Sequence, residues 1–257
     1  MRIDNAVALV TGANGGIGRA LCAALLAAGA AKVYAGARDT ATLDEMVRAG
    51  GGRVVPLAID VTRPADIAAA AAAAADVTLL VNNAGFNSNT RLFAQPDLAS
   101  AEREMAVNYF GTLGMIRAFA PVLKANGGGA IVNMLSILAR VNLPIMATLC
   151  ASKAAAFSLT QAVRAELAGQ GTVVIGMMPG AVETAMTAHL TIPKMQPAEV
   201  AAAVIAAVEA GTEDVYPGAM AEGVAAGLAG DPKAVEKDFA GSVAAPGAAP
   251  GAAPGAG

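Results

Sequence analysis

Short apolar runs recur along the chain, and most are followed by a polar or glycine-rich turn and then by a helix-forming stretch. Runs of this kind are typical of strands that are buried on both faces of a parallel sheet. The predicted strands are 6–10, 32–38, 53–59, 77–81, 129–134 and 172–177, with a short last strand at 215–218. The predicted helices are 19–28, 42–49, 67–75, 99–125, 149–168 and 198–210. This alternation predicts a single α/β domain of Rossmann type, in which about seven parallel strands form a doubly wound sheet with helices on both faces.

Composition and charge narrow the classes of function. The 257 residues carry a net charge of −3 at pH 7, so the chain lacks the basic surface that nucleic acids require. No apolar run reaches the roughly 18 residues that a membrane-spanning helix needs, and residues 1–5 leave no room for a signal peptide before the first strand. The cysteines, Cys22 and Cys150, suit neither a disulfide framework nor a metal site. We therefore expect a cytoplasmic protein that binds a small-molecule substrate, with no metal and no nucleic acid or membrane partner.

The domain is expected to span residues 1–240. Beyond it, residues 241–257 consist almost entirely of alanine, proline and glycine. Such a segment cannot bury enough apolar surface to offset the entropy of ordering, so we expect a flexible tail.

A glycine-rich turn follows the first predicted strand. Residues 11–18 read Thr-Gly-Ala-Asn-Gly-Gly-Ile-Gly, and a predicted helix begins directly after them. In such a unit, Gly12 permits the tight turn, Gly16 lets the backbone approach a pyrophosphate, and Gly18 lets helix and strand pack closely. Free N–H groups at the helix N-terminus favour an anion. The glycines alone could form only a structural turn, but the flanking strand and helix favour a nucleotide site.

The end of the second strand predicts which cofactor is bound. An acidic residue there would bind the ribose 2′-hydroxyl and select NAD. This strand instead ends in Gly36 and Ala37, and Arg38 follows. A guanidinium suits a 2′-phosphate, although Arg38 could also point to solvent and Asp39 stands directly after it. We expect NADP(H) to be preferred over NAD(H).

Further motifs follow the later strands. Asn-Asn-Ala-Gly occupies 82–85, Ser136 follows the fifth strand, Lys153 lies on the next helix, and Pro-Gly-Ala-Val-Glu-Thr occupies 179–184. With the glycine-rich turn, and in this order, they closely resemble the short-chain dehydrogenase/reductase family. The resemblance covers roughly residues 5–220. It implies an oxidoreductase that transfers a hydride between a nicotinamide cofactor and a carbonyl carbon.

The resemblance also implies roles for individual residues. In relatives a lysine holds the nicotinamide ribose and lowers the pKa of a catalytic tyrosine, while a serine polarises the substrate oxygen; here these positions are Lys153 and Ser136. Asn108 matches an asparagine that kinks its helix and holds a water connected to the lysine. Asp60 could contact the cofactor, or it could only cap the following helix. The predicted cofactor-binding residues are Gly12, Asn14, Gly16, Ile17, Gly18, Arg38, Asp60, Val61, Asn82, Ala84, Lys153, Pro179, Gly180, Val182 and Thr184.

Position 149 departs from the family pattern. The family has Tyr-x-x-x-Lys, with a serine thirteen residues before the tyrosine, and both Lys153 and Ser136 place that tyrosine at 149. The residue there is leucine, which has no proton to donate. General acid catalysis contributes roughly 10²–10⁴-fold to a rate. The catalytic set implied by the resemblance is therefore Ser136, Lys153 and Asn108, with Leu149 at the position of the missing tyrosine.

Three other groups could supply a proton. Cys150 is adjacent in sequence, but one helical step turns it about 100° away from position 149. Tyr109 neighbours Asn108 and should also point elsewhere. Lys153 could donate through a water, but the sequence does not define the distance that the proton would cross.

The loop at 138–148 is expected to line the substrate pocket, where Leu138, Leu143 and Met146 favour a small, fairly hydrophobic substrate. Three interpretations remain open. The first is an NADP(H)-dependent oxidoreductase that transfers a hydride to a C=O or C=N group without the usual tyrosine. The second is a carbonyl reductase that an engineered Tyr-to-Leu change at 149 has inactivated or redirected. The third is a non-catalytic NADP-binding protein.

The resemblance also implies self-association. Relatives commonly associate through the helices that correspond to 99–125 and 149–168. Their small residues allow close helix packing, so we expect a homotetramer or a homodimer.

Overall fold

The computed structural model describes residues 1–94 and 96–243, which are built around a parallel β-sheet. Its strands are β1 (Val7–Thr11), β2 (Lys32–Ala37), β3 (Val54–Ala58), β4 (Leu79–Asn82), β5 (Gly129–Met134), β6 (Thr172–Met177) and β7 (Asp214–Val215). They pair in the order β3-β2-β1-β4-β5-β6-β7, and each neighbouring pair is parallel. This seven-stranded sheet confirms the predicted Rossmann-type fold.

Helices cover both faces of the sheet. They are α1 (Gly16–Ala27), α2 (Asp44–Ala49), α3 (Pro64–Ala73), α4 (Ala99–Met105), α5 (Thr112–Ala125), α6 (Ala147–Leu167), α7 (Pro197–Ala210), α8 (Ala219–Gly230) and α9 (Pro232–Ala240). A π-helical segment, Ala106–Gly111, joins α4 to α5. Short 3₁₀ turns lie at Thr40–Leu43, Ile137–Ala139, Pro144–Met146, Ala168–Gln170 and Ala185–Thr187.

Two hydrophobic cores form because successive strand residues point to opposite faces. On one face, Ala8 and Val10 of β1 pack with apolar side chains of α1 and α7. On the other face, Leu9 packs with side chains of α3, α5 and α6. Since both faces are covered, the strands are mostly apolar, and they therefore appear in the sequence as nearly continuous runs.

The predicted site motifs all lie at the carboxyl ends of the sheet strands. The strand order reverses at β1, which lies between β2 and β4. In a doubly wound sheet, ligands bind outside the carboxyl ends of the strands at such a reversal, in a space that we call the crevice. The motif residues follow directly after β1, β2, β3, β4, β5 and β6. Parallel topology therefore brings them together.

The structure corrects several predicted boundaries. The fourth strand begins at Leu79 and not at 77, and the third helix begins at Pro64 and not at 67. Proline is favoured in the first helical turn, where its missing N–H leaves no bond unmade. The last strand is Asp214–Val215, shorter than the predicted 215–218.

Helices α8 and α9 are not predicted from the sequence. Helix α8 consists mainly of alanine and glycine and buries one residue fully, Ala221. It therefore offers no apolar stripe to recognise. Residues 244–257, which hold most of the predicted flexible tail, lie outside the described residues.

Candidate active site

The glycine-rich turn after β1 forms a backbone cradle at the N-terminus of α1. Gly12 has a φ of +63°, a conformation that favours glycine. A Cβ on Gly18 would lie 2.2 Å from the carbonyl oxygen of Gly12, so a larger residue would push α1 away from β1. Gly15 provides no side-chain cap, which leaves the first N–H groups of α1 free for an anion. This cradle fits the pyrophosphate of a dinucleotide.

Residues after β4 hold this cradle in place. The side-chain amide of Asn83 donates to the carbonyl oxygens of Thr11 and Gly12 at 2.9 and 3.1 Å. The hydroxyl oxygen of Thr11 accepts from the N–H groups of Asn83 and Ala84, each at 3.0 Å. Thr11 and Asn83 are not among the predicted site residues. They position the cradle through hydrogen bonds that span 71–73 residues of sequence, which no local pattern reveals.

Asn82, predicted as a cofactor contact, has its side chain inside the sheet. Its Nδ2 donates to Oδ1 of Asn133 at 2.9 Å, and Asn133 donates to the Thr160 hydroxyl on α6 at 2.9 Å. All three residues are buried. This chain of hydrogen bonds ties together β4, β5 and α6, so the side chain of Asn82 braces the strands that carry the site.

Arg38 and Asp60 follow the neighbouring strands β2 and β3. Arg38 is exposed, whereas Asp39 accepts a hydrogen bond from the N–H of Ala41 at 3.0 Å and so caps the next turn. Asp60 accepts from the N–H and hydroxyl of Thr62 at 2.9 and 2.6 Å. The hydrogen bonds from Thr62 hold the pKa of Asp60 below its usual value against the effect of burial, and the charge of Arg38 acts in the same direction. Asp60 therefore forms a local turn and does not cap α3.

The segment after β6 approaches the cradle from the other side. A Cβ on Gly16 would lie 2.9 Å from Cγ2 of Thr184, so these two predicted cofactor residues lie against each other. Gly180 is covered by Met220 of α8, whose Sδ would lie 2.6 Å from a Cβ there. Of the remaining predicted positions, Asn14 is exposed, Ile17, Val61 and Ala84 are half-buried, and Pro179 and Val182 are buried.

Lys153 and Asn108 converge on Gly85. The Lys153 ammonium donates to the carbonyl oxygen of Met134 at 2.7 Å. Its Nζ lies 3.7 Å from the point that a Cβ on Gly85 would occupy, and Oδ1 of Asn108 lies 3.5 Å from the same point. Burial lowers the pKa of Lys153 to about 8. The structure thus brings together two of the predicted catalytic residues at the end of the 82–85 motif.

Asn108 lies in the π-helical segment and clamps the loop that follows β4. Its Nδ2 donates to the carbonyl oxygen of Phe86 and to Oγ of Ser152, each at 2.9 Å, and its Oδ1 accepts from the N–H of Phe86 at 2.9 Å. Single π-helical segments inside helices are frequent at functional sites. The family resemblance implies a kink at this asparagine, and the helix changes from α to π geometry here. The water that relatives hold at this position stays a prediction.

Ser136 lies just after β5 with a hydroxyl that can turn to a new partner. Its Oγ accepts from the N–H of Leu138 at 3.1 Å and so caps the 3₁₀ turn. The hydroxyl itself reaches the carbonyl oxygen of Pro179 only at 3.5 Å, which is a weak hydrogen bond. Ser136 can therefore donate to a substrate oxygen at little energetic cost.

Leu149 lies one helical turn before Lys153 and is 7% exposed. It belongs to an apolar group, here called the 149 cluster, whose members are Leu138, Leu143, Ile145, Met146, Leu149, Cys150 and Leu190. The three residues predicted to line the substrate pocket therefore pack in the same cluster as Leu149. Cys150 is the one member of this cluster with a polar hydrogen.

Of the three alternative proton donors, Cys150 is engaged with a neighbouring backbone group and Tyr109 packs against a neighbouring ring. The sulfur of Cys150 accepts from the N–H of Leu143 at 3.2 Å, and burial raises the pKa of its thiol. The ring of Tyr109 packs edge-on against exposed Phe110, with ring centroids 4.9 Å apart. Lys153 remains as the alternative donor next to the crevice.

Glu104, a buried carboxylate beside the site, is not predicted from the sequence. Glu104 has no exposed surface, and its Oε1 accepts from the N–H and hydroxyl of Ser88 at 2.8 and 2.6 Å. It lies one turn before Asn108, so two successive helical turns clamp the loop after β4, at Ser88 and at Phe86. A glutamate in a helical pattern predicts a solvated face, and nothing local indicates its burial.

These features define a dinucleotide-binding α/β protein with a lysine and a serine at the cofactor crevice. The family described as short chain dehydrogenase matches residues 6–194. The chain belongs to the short-chain dehydrogenase family and is an oxidoreductase of that family.

Individual relatives agree with this assignment. Galactitol 2-dehydrogenase (L-tagatose-forming) of Cereibacter sphaeroides is 41% identical over 192 residues, which cover 72% of this chain and 75% of the relative. A short chain dehydrogenase from Burkholderia cenocepacia J2315, solved in complex with NADP, is 50% identical with a TM-score of 0.88 over 93% of this chain and 99% of that one. A 3-ketoacyl-(acyl-carrier-protein) reductase from Brucella melitensis, complexed with NADH, is 28% identical with a TM-score of 0.76 over 83% and 97%. Similar structures therefore hold either nicotinamide cofactor.

Residues 1–94 and 96–243 hold neither a membrane-spanning helix nor a cluster of metal-ligating side chains. None of the helices described there is both long enough and apolar enough to cross a membrane. The same residues contain no group of three or more His, Cys, Asp or Glu side chains placed to hold a metal ion.

Proposed function

We propose that this protein is an NADP(H)-dependent oxidoreductase that transfers a hydride to a C=O or C=N group of a small, fairly hydrophobic substrate, without the usual tyrosine as proton donor. The position of Leu149 carries this proposal. It shares a helix face with Lys153 and packs in the 149 cluster with Leu138, Leu143 and Met146. An apolar side chain without a hydroxyl therefore stands one helical turn before Lys153, at the position of the missing tyrosine.

The cofactor fits the crevice through groups of this chain. When bound, its nicotinamide supplies or accepts the hydride. The N–H groups at the start of α1 would hold the pyrophosphate, and the Lys153 ammonium would hold the nicotinamide ribose. Arg38 is exposed and would meet the 2′-phosphate, while its neighbour Asp39 caps the next turn. The NADP bound to the relative that is 50% identical supports this choice.

The lack of an acid at position 149 separates the candidate substrates into those that need a proton, ketones, and those that do not, iminium ions. Hydride addition to a ketone creates an alkoxide, which needs a proton. An iminium ion is already cationic, so hydride addition neutralises it and needs none. The Ser136 hydroxyl orients a carbonyl oxygen but cannot lose its proton easily. Reduction of a ketone at this site therefore needs a proton donor other than residue 149, whereas reduction of an iminium ion needs none.

The test is NADPH oxidation against ketones and cyclic imines by this protein, Leu149→Tyr and Leu149→Phe. We expect Leu149→Tyr to raise ketone reduction by roughly 10²–10⁴-fold, since it restores a general acid. Leu149→Phe adds a similar ring without the hydroxyl and should not. Turnover of imines or ketones by the unmodified protein supports the proposal.

Two other outcomes separate the alternatives. If ketones are reduced by Leu149→Tyr alone, the protein is a carbonyl reductase whose acid has been replaced. If NADPH binds tightly but no variant turns over any substrate, the protein is a binding module and the proposed activity is wrong.

We also propose that the chain forms a homotetramer or a homodimer through the stretch from α4 to α5 and through α6. Phe110 lies on this stretch and is 59% exposed. A large apolar side chain exposed on a helix face favours association. Light scattering coupled to size-exclusion chromatography should give a mass of two or four chains, and a monomer would refute this.

A further inference from the structure

We propose that Lys153 itself delivers the proton to the substrate oxygen when the substrate is a neutral carbonyl compound. The inference rests on the proposed function and adds the acid that takes the place of tyrosine. Among the described residues, the ammonium makes one hydrogen bond, to the carbonyl oxygen of Met134 at 2.7 Å. An ammonium carries three N–H donors, so two are left for other partners.

The geometry around Nζ leaves a route to the crevice. Gly85 is exposed and lies directly beside Nζ, and it has no side chain to cover the ammonium. Ser136, which would orient the substrate oxygen, stands two residues after Met134, the hydrogen-bond partner of Lys153. Leu149 places no hydroxyl between the lysine and the substrate. A carbonyl oxygen held by Ser136 would therefore be within reach of an Nζ–H donor, directly or through one water.

Charged groups on the neighbouring elements are engaged with other partners. Glu104 of α4 accepts from Ser88, Arg140 after β5 donates to the hydroxyl of Tyr216, and Glu183 after β6 pairs with Lys194. The other titratable groups nearby are Tyr109 of the π-helical segment and Cys150 of α6. In the part of the chain that the structure describes, none of these groups forms an ion pair or hydrogen bond with Lys153. Burial alone lowers the pKa of Lys153, to about 8, so the group is mostly protonated at pH 7 and yields its proton readily.

The proposed step conserves atoms and charge. A hydride from the reduced nicotinamide adds to the carbonyl carbon, and the C=O π electrons move to oxygen. An N–H bond of Lys153 breaks as the O–H bond forms. The products are the alcohol, the oxidised cofactor and a neutral amine at Lys153, which regains a proton from solvent. An iminium ion needs no such proton, and a protonated Lys153 repels it.

Ketone reduction therefore requires a protonated Lys153, whereas iminium reduction is favoured by a neutral one. We expect the ketone-reduction rate at saturating NADPH to fall above about pH 8, and the reduction of an N-methylated cyclic iminium, whose charge is fixed, to rise. Lys153→Met also removes the contact with the nicotinamide ribose, so it should raise the KM for NADPH in both reactions. At saturating NADPH it should lower ketone reduction far more than iminium reduction. A structural role for the lysine would impair both reactions alike. Ketone reduction by Lys153→Met with an unchanged pH profile overturns this inference and leaves the proposed function intact.

A second readout needs neither cofactor nor turnover. In ¹⁵N-lysine NMR of the cofactor-free protein, the signal that disappears in Lys153→Met belongs to Lys153. We expect it to titrate near pH 8. A midpoint near the ordinary lysine value of about 10.4 would overturn the inference.

Chemical replacement of the lysine distinguishes proton donation from positioning. Lys153→Cys, treated with bromoethylamine, regains an ammonium of similar length that is more acidic because of its thioether sulfur. The native cysteines are protected, because both are buried and burial raises the pKa of Cys22 to about 12. We expect recovered ketone reduction with its alkaline limb at lower pH. Recovery without that shift contradicts proton donation. Complete inactivity of the unmodified protein and of Leu149→Tyr would refute the proposed function itself.

Discussion

Replacing Lys153 with methionine should stabilise the folded protein at neutral pH. Burial lowers the pKa of Lys153 from 10.5 to about 8. Each pKa unit corresponds to about 1.4 kcal/mol, so keeping the ammonium charged in the folded state costs about 3 kcal/mol. Methionine leaves the carbonyl of Met134 without its donor, which costs about 1–2 kcal/mol. The net gain in the free energy of unfolding at pH 7 is then about 1–2 kcal/mol.

The sign of the pH dependence provides a stricter check. The penalty is fully present below pH 8, where the lysine is protonated in both states. Between about pH 8 and 10.5 the folded protein has lost the proton that the unfolded chain still binds, so the stability of the unmodified protein rises relative to Lys153→Met. From pH 7 to pH 9.5 the unmodified protein should gain about 2 kcal/mol relative to Lys153→Met, so the advantage of the variant should disappear or reverse.

Urea unfolding followed by circular dichroism, at both pH values and without cofactor, measures this difference. The exposed lysine of α5, Lys124, provides the control Lys124→Met, which should show no comparable gain. A Lys153→Met variant that is less stable at pH 7, or a difference that stays constant with pH, would refute the reasoning about the buried ammonium.

Two further predictions concern the cofactor site. Arg38→Ala should weaken NADPH binding at least about tenfold but leave NADH binding nearly unchanged, because it removes one charged hydrogen-bond partner of the 2′-phosphate; fluorescence titration with both cofactors measures this, and equal losses would contradict the role. Gly18→Ala should destabilise the protein by about 1–3 kcal/mol through overpacking, since the new Cβ would lie 2.2 Å from a carbonyl oxygen. Gly223→Ala is the matched control in thermal melts, because its Cβ would meet nothing within 4 Å.

The fold could be predicted because buried parallel strands appear in the sequence as short apolar runs. The strands at 129–134 and 172–177 match their predictions at both ends, since glycines stand at or next to their starts. Helix α8 shows where this reasoning stops. It packs Met220 onto Gly180, a contact between distant parts of the chain that no helical period in an alanine- and glycine-rich segment indicates.

The candidate site could be predicted by position but not by side-chain direction. Sequence motifs place residues at the carboxyl end of a strand, where parallel topology gathers them. Which neighbour faces the crevice depends on strand alternation and on long-range partners. Asn82 therefore points into the sheet while Asn83 holds the cradle, and Asp60 turns to Thr62. Glu104 is buried against Ser88 for the same reason.

Leu149 and Lys153 are best understood together. Where a tyrosine stands at 149, the lysine ammonium lowers the pKa of that tyrosine. The ammonium then contributes to catalysis through the tyrosine, although its burial costs folding free energy. With leucine at 149 that neighbour is absent, yet the ammonium remains buried beside the crevice with a pKa of about 8. Buried charges that weaken a fold are expected at functional sites. A Lys153→Met variant that gains stability and, at saturating NADPH, loses ketone reduction far more than iminium reduction would show that the charge acts on the substrate.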